Sequence, residues 1–397
     1  MDNFSRIAQL PPYVFTITGE SKQRAIARGL DVIDLAMGNP DQGTPPHIVE
    51  ALQREADNQC NHRYSQSQGL RELRQAICDW YQERYQVQID PDLNSVVTIG
   101  SKEGISHLAL ATTNPGEKVL IPDPCYPIHR YGFIIAGAEL VPLSLAVDAS
   151  DQLLPINYLQ QLRTYLETTE TMPKWLVLNY PANPSGHCVE LSFFKEIIEL
   201  AKTYGFYVLN DLAYADLGFE GYRPPSILQV SGALDVAVES FSLSKSYNMA
   251  GWRVGFINGN QTLVAALRRI KTYMDYGLFA AIEKAAIAAL TGPQQCLTQI
   301  REVYQKRRDV LCKELQQINW PVKKPLATMF VWGKIPEKFN HFSSLEFSDF
   351  LIQEVGVAVS PGIGFGPGGE GHVRFALIES EQRIQEAVSR LAPLFKD

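Results

Sequence analysis

A lysine, Lys245 in Ser242-Leu-Ser-Lys245, follows a β-branched run at 236–241, and a short way on Gly251-Trp-Arg253-Val-Gly255 holds an arginine between glycines. A lysine amine condenses with a carbonyl to a Schiff base, and partial desolvation lowers its pKa for that work. An arginine guanidinium forks onto a phosphate. The pair suits an aldehyde cofactor that carries a phosphate, pyridoxal 5′-phosphate. Ser-Lys also occurs in ordinary surface loops, so the reading requires further parts.

A phosphate is met by the free N–H groups of a helix N-terminus. Gly100-Ser101-Lys102-Glu103-Gly104 lies between a strand pattern and a helix pattern, with Ser101 and Lys102 in the first turn. A pyridine ring that serves as an electron sink needs a carboxylate to keep its nitrogen protonated. Asp211 ends the run Tyr207-Val-Leu-Asn-Asp211, and Tyr214 follows at a spacing that brings its hydroxyl towards the ring oxygen. Tyr126, in Pro124-Cys-Tyr-Pro127, offers an aromatic partner for a flat ring, and Asn183 follows a further strand in Pro181-Ala-Asn-Pro-Ser-Gly186. The ordered set is far more specific than any one member.

Such residues need a scaffold that gathers strand ends. β-Branched runs recur at 96–99, 119–121, 139–143, 175–179, 206–210, 236–241 and 254–257. Most are continuously apolar, as strands covered on both faces are. Helix patterns separate them, among them 104–111 and Leu191–Tyr204, whose Leu191, Phe194, Ile197, Ile198 and Ala201 form one stripe. The alternation predicts an α/β fold with a mainly parallel seven-stranded sheet flanked by helices. Ligands of such sheets bind beyond the carboxyl ends of the strands. No helix pattern between Phe241 and Val254 carries a parallel crossover, so the last strand is expected to run antiparallel. Helices are also predicted at 69–86, 262–273, 280–290 and 296–315. Strands at 329–333, 357–360 and 372–378 and a closing helix at 381–394 predict a smaller α+β unit. The expected division is 1–45, an N-terminal arm and part of the small domain; 46–289, the large cofactor-binding domain; and 290–397, the small C-terminal domain.

Composition removes other classes. The 397 residues carry 36 Lys+Arg against 43 Asp+Glu, a net charge of −7 that argues against nucleic acid as a partner. No apolar run reaches the ~18 residues that span a bilayer, and the N-terminus lacks the pattern of a secretory signal. The cysteines are scattered with no Cys-x-x-Cys pair, which suits a reducing, cytoplasmic setting.

Along the chain, Gly100-Ser-Lys-Glu-Gly104, Asn183-Pro-Ser-Gly186, Asp211-Leu-Ala-Tyr214, Ser242-Leu-Ser-Lys245, Gly251-Trp-Arg-Val-Gly255 and His372-Val-Arg-Phe-Ala376 resemble the motifs of class I aminotransferases of fold type I. The resemblance runs from Pro11-Pro-Tyr-Val-Phe15 to the last helix. Two subgroups are most similar. Bacterial glutamate–pyruvate (alanine) aminotransferases share Met37-Gly-Asn-Pro-Asp41 and Ser360-Pro-Gly-Ile-Gly-Phe365, and LL-diaminopimelate aminotransferases share the Ser-Lys-Glu-Gly segment. Ser185 stands where the family more often has Thr, which keeps the hydroxyl.

The resemblance implies that Lys245 binds pyridoxal phosphate covalently and acts as general base. It implies that Ser101, Lys102, Ser242 and Arg253 hold the phosphate, Tyr126 stacks on the ring, Asp211 pairs with its nitrogen, and Asn183 and Tyr214 bond its phenolic oxygen. Arg374 is expected to clamp the substrate α-carboxylate with Asn183 and the backbone of Gly38. Tyr64 is expected to reach the cofactor phosphate of the neighbouring subunit of a homodimer with shared active sites, and Tyr13 to face the substrate. The substrates implied are an amino acid and a 2-oxo acid, first alanine with 2-oxoglutarate, then LL-diaminopimelate, then aspartate or a broader set. A carbon–sulfur lyase is the rival within the fold, and a regulator that keeps the fold as a sensor is the rival outside it.

Several residues read more simply. Pro361-Gly-Ile-Gly-Phe-Gly-Pro-Gly-Gly-Glu-Gly371 lacks the Gly-Lys-Ser/Thr ending of a nucleotide loop and is read as a mobile turn near the substrate entrance. The histidines show no metal-ligand spacing, so no metal is expected. Cys125 is read as a packing residue. Arg374 has apolar neighbours in its strand, so a partner for its charge is expected.

Overall fold

The apolar runs form strands that bury alternate residues on opposite faces. In the computed structural model, which describes residues 4–145, 147 and 153–396, the strands are β1 (Ile33–Leu35), β2 (Ser95–Ile99), β3 (Lys118–Asp123), β4 (Glu139–Ser144), β5 (Trp175–Leu178), β6 (Tyr207–Asp211), β7 (Ala237–Ser242), β8 (Val254–Gly259), β9 (Phe330–Lys334), β10 (Val357–Pro361) and β11 (His372–Ala376). One sheet has the order β2-β8-β7-β6-β5-β3-β4. Its strands run parallel except β8, which is antiparallel to both β7 and β2. The reversed strand is where the missing crossover helix placed it.

Along β5, Leu176 and Leu178 join a core with the helices Arg71–Tyr85, Leu191–Tyr204 and Ala280–Thr291. Trp175 and Val177 point the other way, into a core with Ser101–Thr112, Pro127–Ala136 and Gln261–Met274. Both faces are therefore covered, and the strands need no polar alternation. Phe194, Ile197, Ile198 and Ala201 are buried as the stripe predicts, and Gly205 ends their helix in the left-handed conformation.

The second sheet has the order β1-β10-β11-β9. β1 joins β10 in parallel, which brings the N-terminal segment into the C-terminal sheet, while β11 is antiparallel to both neighbours. Helices Gln295–Gln317 and Glu381–Leu391 cover it through Leu311, Leu315, Ile384 and Leu391. Among the described residues no helix is long and apolar enough to cross a membrane.

Among the described residues the sequence pattern missed five helices of ten or more residues, Val14–Ala27, Pro46–Ala56, Pro127–Ala136, Pro155–Thr168 and Ser344–Val355, and the one-turn helices Ser5–Ala8, Ala233–Val236 and Leu243–Ser246. The first buries Thr18, Ser21 and Ala25, so its inward face carries no apolar stripe. Ser21 instead bonds Asp349 and accepts from Gln353 Nε2 at 2.9 Å, on helix Ser344–Val355.

Candidate active site

The carboxyl ends of the parallel strands open on a cavity of about 190 Å³ between the two sheets. Each residue assigned to the site from the sequence lines it, Tyr64 excepted.

Lys245 stands in the one-turn helix Leu243–Ser246 that follows β7, and its Nζ donates to Gly38 O at 2.6 Å. Burial, followed by repulsion from Arg374 and Arg253, pushes its ammonium down to about 7. An amine so placed is part neutral near pH 7, the condition for a nucleophile or general base.

The anion-binding end is built by close backbone approach. Ser101 opens a helix whose preceding residue, Gly100, has φ of 75°, and a Cβ there would lie 2.3 Å from Arg253 Nη2. A Cβ on Gly255 would lie 2.7 Å from Ser101 N. Glycine at both positions lets the Arg253 guanidinium lie against the helix N-terminus. Arg253 itself holds the left-handed conformation, and its Nη1 is steadied by Ala250 O at 2.9 Å. Ser101 Oγ is buried with no partner among the described residues. Ser242 Oγ donates to Ser244 Oγ at 2.8 Å, and the Lys102 ammonium is held low by burial and Arg253. Convergent cations, a hydroxyl without a partner and free helix N–H groups are the donor set of a phosphate site.

At the other end, Asp211 Oδ2 lies 2.9 Å from His129 Nε2, while Oδ1 is buried without a partner among the described residues. Asn179 Nδ2 donates to Asp211 O at 2.7 Å, and its Oδ1 accepts from Asn183 N at 2.8 Å. Asn183 Nδ2 in turn donates to the Tyr214 hydroxyl at 3.4 Å. Tyr126 lies across the cavity, its ring 5.9 Å from that of His129, and burial pushes its phenol up to about 12. A protonated ring nitrogen fits the orphaned Asp211 oxygen and a ring oxygen fits the Asn183–Tyr214 pair, so the residues present fit pyridoxal phosphate.

Arg374 lies in β11 at 2% exposure. Nη1 donates to Asn183 Oδ1 at 2.8 Å, and Nη2 to Ala36 O at 2.9 Å and Ser360 Oγ at 3.2 Å. Phe330 and Phe365 stack on the guanidinium, 4.0 and 4.6 Å away. Among the described residues no carboxylate pairs with it, and burial pushes its pKa down to about 10. The partner anticipated for its charge is thus supplied by neutral oxygens and rings, which leaves the charge open to a ligand anion. Tyr13 lies near Lys102, whose Nζ is 5.6 Å from its ring. Tyr64 lies outside the cavity, 89% exposed, with its ring 4.8 Å from Tyr276.

Sequence reasoning missed His129, Asn179 and Ser360. His129 lies in the first turn of the helix that Pro127 opens, three positions after Tyr126, a spacing that reaches the same pocket. The Gly-rich 361–371 segment is seated on the end of β3: Cys125 N donates to Phe365 O at 2.8 Å, and a Cβ on Gly368 would meet Asp123 O at 2.7 Å. Burial pushes the Cys125 thiol up to about 12, as suits a packing residue. Glu103, His107 and Asp275 come together, but the Lys271 ammonium already lies among them, 2.9 Å from Glu103 and 3.1 Å from Asp275.

The chain is similar to known proteins over nearly its whole length. The family model for aminotransferase class I and II matches residues 30–391. The glutamate-pyruvate aminotransferase AlaC of Escherichia coli (strain K12) is 53% identical over 99% of this chain and 94% of its own. An LL-diaminopimelate aminotransferase of Moorella thermoacetica is 42% identical over 98% of each chain. The apo-BacF structure from Bacillus subtilis superposes with a TM-score of 0.91 at 31% identity, covering all of both chains.

Proposed function

The chain belongs to the class I and II aminotransferases, and from that premise we propose that it moves the amino group of alanine to 2-oxoglutarate, giving pyruvate and glutamate. The observation that carries this reading is one cavity holding a lysine amine of depressed pKa and a buried, carboxylate-free arginine. The alanine assignment is supported by the similarity to AlaC. LL-diaminopimelate is the second reading, supported by the relatives of that name.

Pyridoxal phosphate, when bound, supplies an aldehyde carbon to carry the amino group and a ring to take up the electron pair left at Cα. In our reading Ser101, Lys102, Ser242 and Arg253 hold its phosphate, and Asp211, steadied by His129, keeps a proton on its ring nitrogen. Tyr126 packs on the ring, and Asn183 and Tyr214 donate to its phenolic oxygen. Arg374, Asn183 and the backbone of Gly38 take the α-carboxylate, which directs the Cα hydrogen towards Lys245. Lys245 would take that proton as general base and hold it on the same side of the cavity for return as general acid. The aromatic side chains Tyr13, Phe15 and Phe330 limit water at the reacting carbon.

The same reading includes a cytoplasmic homodimer with the domain limits 1–45, 46–289 and 290–397. Exposed Tyr64, Tyr273, Met274, Tyr276 and Phe279 are supporting observations, since so large an apolar patch suits a second copy of the chain. Tyr64 then serves the partner's phosphate. A half-reaction panel tests the substrate: single amino acids are added to holoenzyme and the cofactor absorbance is followed. Fast conversion by alanine and glutamate with none by LL-diaminopimelate supports the proposal. The reverse pattern overturns it, and release of ammonia or thiol without accumulated pyridoxamine phosphate identifies a lyase.

A further inference from the structure

Arg307 lies on the long helix Gln295–Gln317, outside the cavity, and its side chain is 8% exposed. Its fork closes on one carboxylate, Nη1 to Asp41 Oδ1 and Nη2 to Asp41 Oδ2, both at 2.7 Å. Nη1 makes a further bond to Leu377 O at 3.0 Å. Asp41 follows Gly38 in the Gly38-Asn-Pro-Asp41 turn, and Leu377 follows Arg374 just past the end of β11. One planar guanidinium thus ties together the two segments that carry Gly38 and Arg374.

The Phe330 ring also touches both, 4.0 Å from the Arg374 guanidinium and where a Cβ on Gly38 would meet it at 2.6 Å, but a ring contact fixes no hydrogen-bond geometry. Pairing of β1 with β10 ends at Leu35 and Val359, so the Gly38 turn runs outside the sheet. Its amino side is held at Ala36 O, by Ser360 Oγ at 2.6 Å and by Arg374 itself. Its carboxyl side is held at Thr44, whose Oγ1 donates to Asn248 O at 2.9 Å. The bond from Lys245 Nζ to Gly38 O is surrendered whenever that amine reacts, so it is no standing anchor. A bidentate guanidinium–carboxylate pair fixes orientation as well as distance, which an ammonium in its place would not do.

We propose that Arg307 is a positioning residue for substrate binding, setting the distance between the Gly38 turn and the Arg374 guanidinium through its fork on Asp41 and its bond to Leu377. The inference rests on the reading of Arg374 and Gly38 as the α-carboxylate site. A ligand clamp loosened by a fraction of an ångström loses affinity steeply.

The test uses holoenzyme of the wild type and of Arg307→Met, Arg307→Lys, Asp41→Asn and Arg374→Leu. For each, the KM of alanine, kcat, the Kd of unreactive glutarate from the cofactor absorbance, and the Kd of pyridoxal phosphate for apoenzyme are measured. Arg307→Met is expected to raise the alanine KM and the glutarate Kd about tenfold, with kcat within about threefold and cofactor affinity unchanged. Arg307→Lys is expected to recover only part of the loss. If Arg307→Met does not fold, Asp41→Asn breaks the same fork from the other side and is expected to give the same split. The proposal is overturned if the folded variants keep wild-type KM and Kd while Arg374→Leu loses both. It is equally overturned if kcat and cofactor affinity fall with KM unchanged. If Arg374→Leu itself binds glutarate as the wild type does, the carboxylate assignment fails first and the proposal with it.

Discussion

His129 Nε2 lies 2.9 Å from Asp211 Oδ2; both side chains are buried, and Asp211 lines the cavity. The contact engages one carboxylate oxygen, while among the described residues Oδ1 has no partner, which in the proposed reading is left for the cofactor nitrogen. A hydrogen bond to a buried charged group contributes about 1.5–3 kcal/mol. Replacing His129 with Leu is therefore expected to lower kcat about 10- to 100-fold with the fold intact. Asp211→Ala, which removes the charge itself, is expected to cost about 10²–10³-fold or more. Steady-state rates with circular dichroism as the fold control check both, and an unaltered rate in His129→Leu would show that the contact does not matter.

Lys245 gives a prediction in pH. Its folded pKa is depressed to about 7 from an ordinary value of 10.5, so between those limits the unfolded chain binds more protons than the native one. Stability of the apoenzyme is expected to rise from pH 7 to pH 10.5 through this group, and the cost of burying the charge is fully present below pH 7. Urea melts of apo Lys245→Met should lose that slope. The variant is also expected to be inactive at every pH, since Lys102, the other lysine lining the cavity, is assigned to the phosphate end in the proposed reading.

Glu283 works in the opposite sense. Its Oε2 accepts from Leu70 N at 2.6 Å, and burial pushes its carboxyl up to about 7 from 4.5. The native state then holds a proton that the unfolded state has lost, so stability falls as pH rises from 4.5 to 7. Glu283→Gln keeps an acceptor for Leu70 and removes the titration. It is expected to match the wild type near pH 4.5 and to exceed it at pH 8 by on the order of 2 kcal/mol. Equal melting temperatures at pH 8 would refute this.

Gly100→Ala tests the proposed phosphate cradle without replacing any of the side chains assigned to it. The added methyl meets the Arg253 guanidinium at 2.3 Å and sits on a residue with φ of 75°. Affinity for pyridoxal phosphate is expected to fall at least tenfold, read by equilibrium dialysis. Gly251→Ala, where a Cβ meets nothing within 4 Å, is the matched control and should bind normally.

Much of this was legible because strand ends and reacting groups coincide in the chain. Asp211, Ser242 and Ser101 each end a strand or follow one, so a sheet with the predicted order of elements brings them together. The less legible parts obey other rules. Helix Val14–Ala27 buries Thr18, Ser21 and Ala25, residues at helical spacing but too small and polar to show as a hydrophobic stripe. His129 and Asn179 act through Asp211 and Asn183, and such support has no motif of its own. Arg307 is one of several arginines on a charged helix, and only its fork on distant Asp41 distinguishes it.

Because β8 runs against its neighbours, it begins at the edge where they finish, and Arg253 enters the cavity from the start of a strand while Lys245 leaves from the end of another. In the proposed reading, the segment 246–252 then joins the lysine contact to the phosphate contact. It runs from the helical turn Leu243–Ser246 that follows β7 to Arg253 just before β8, so two strands of one sheet fix where the two contacts stand relative to each other.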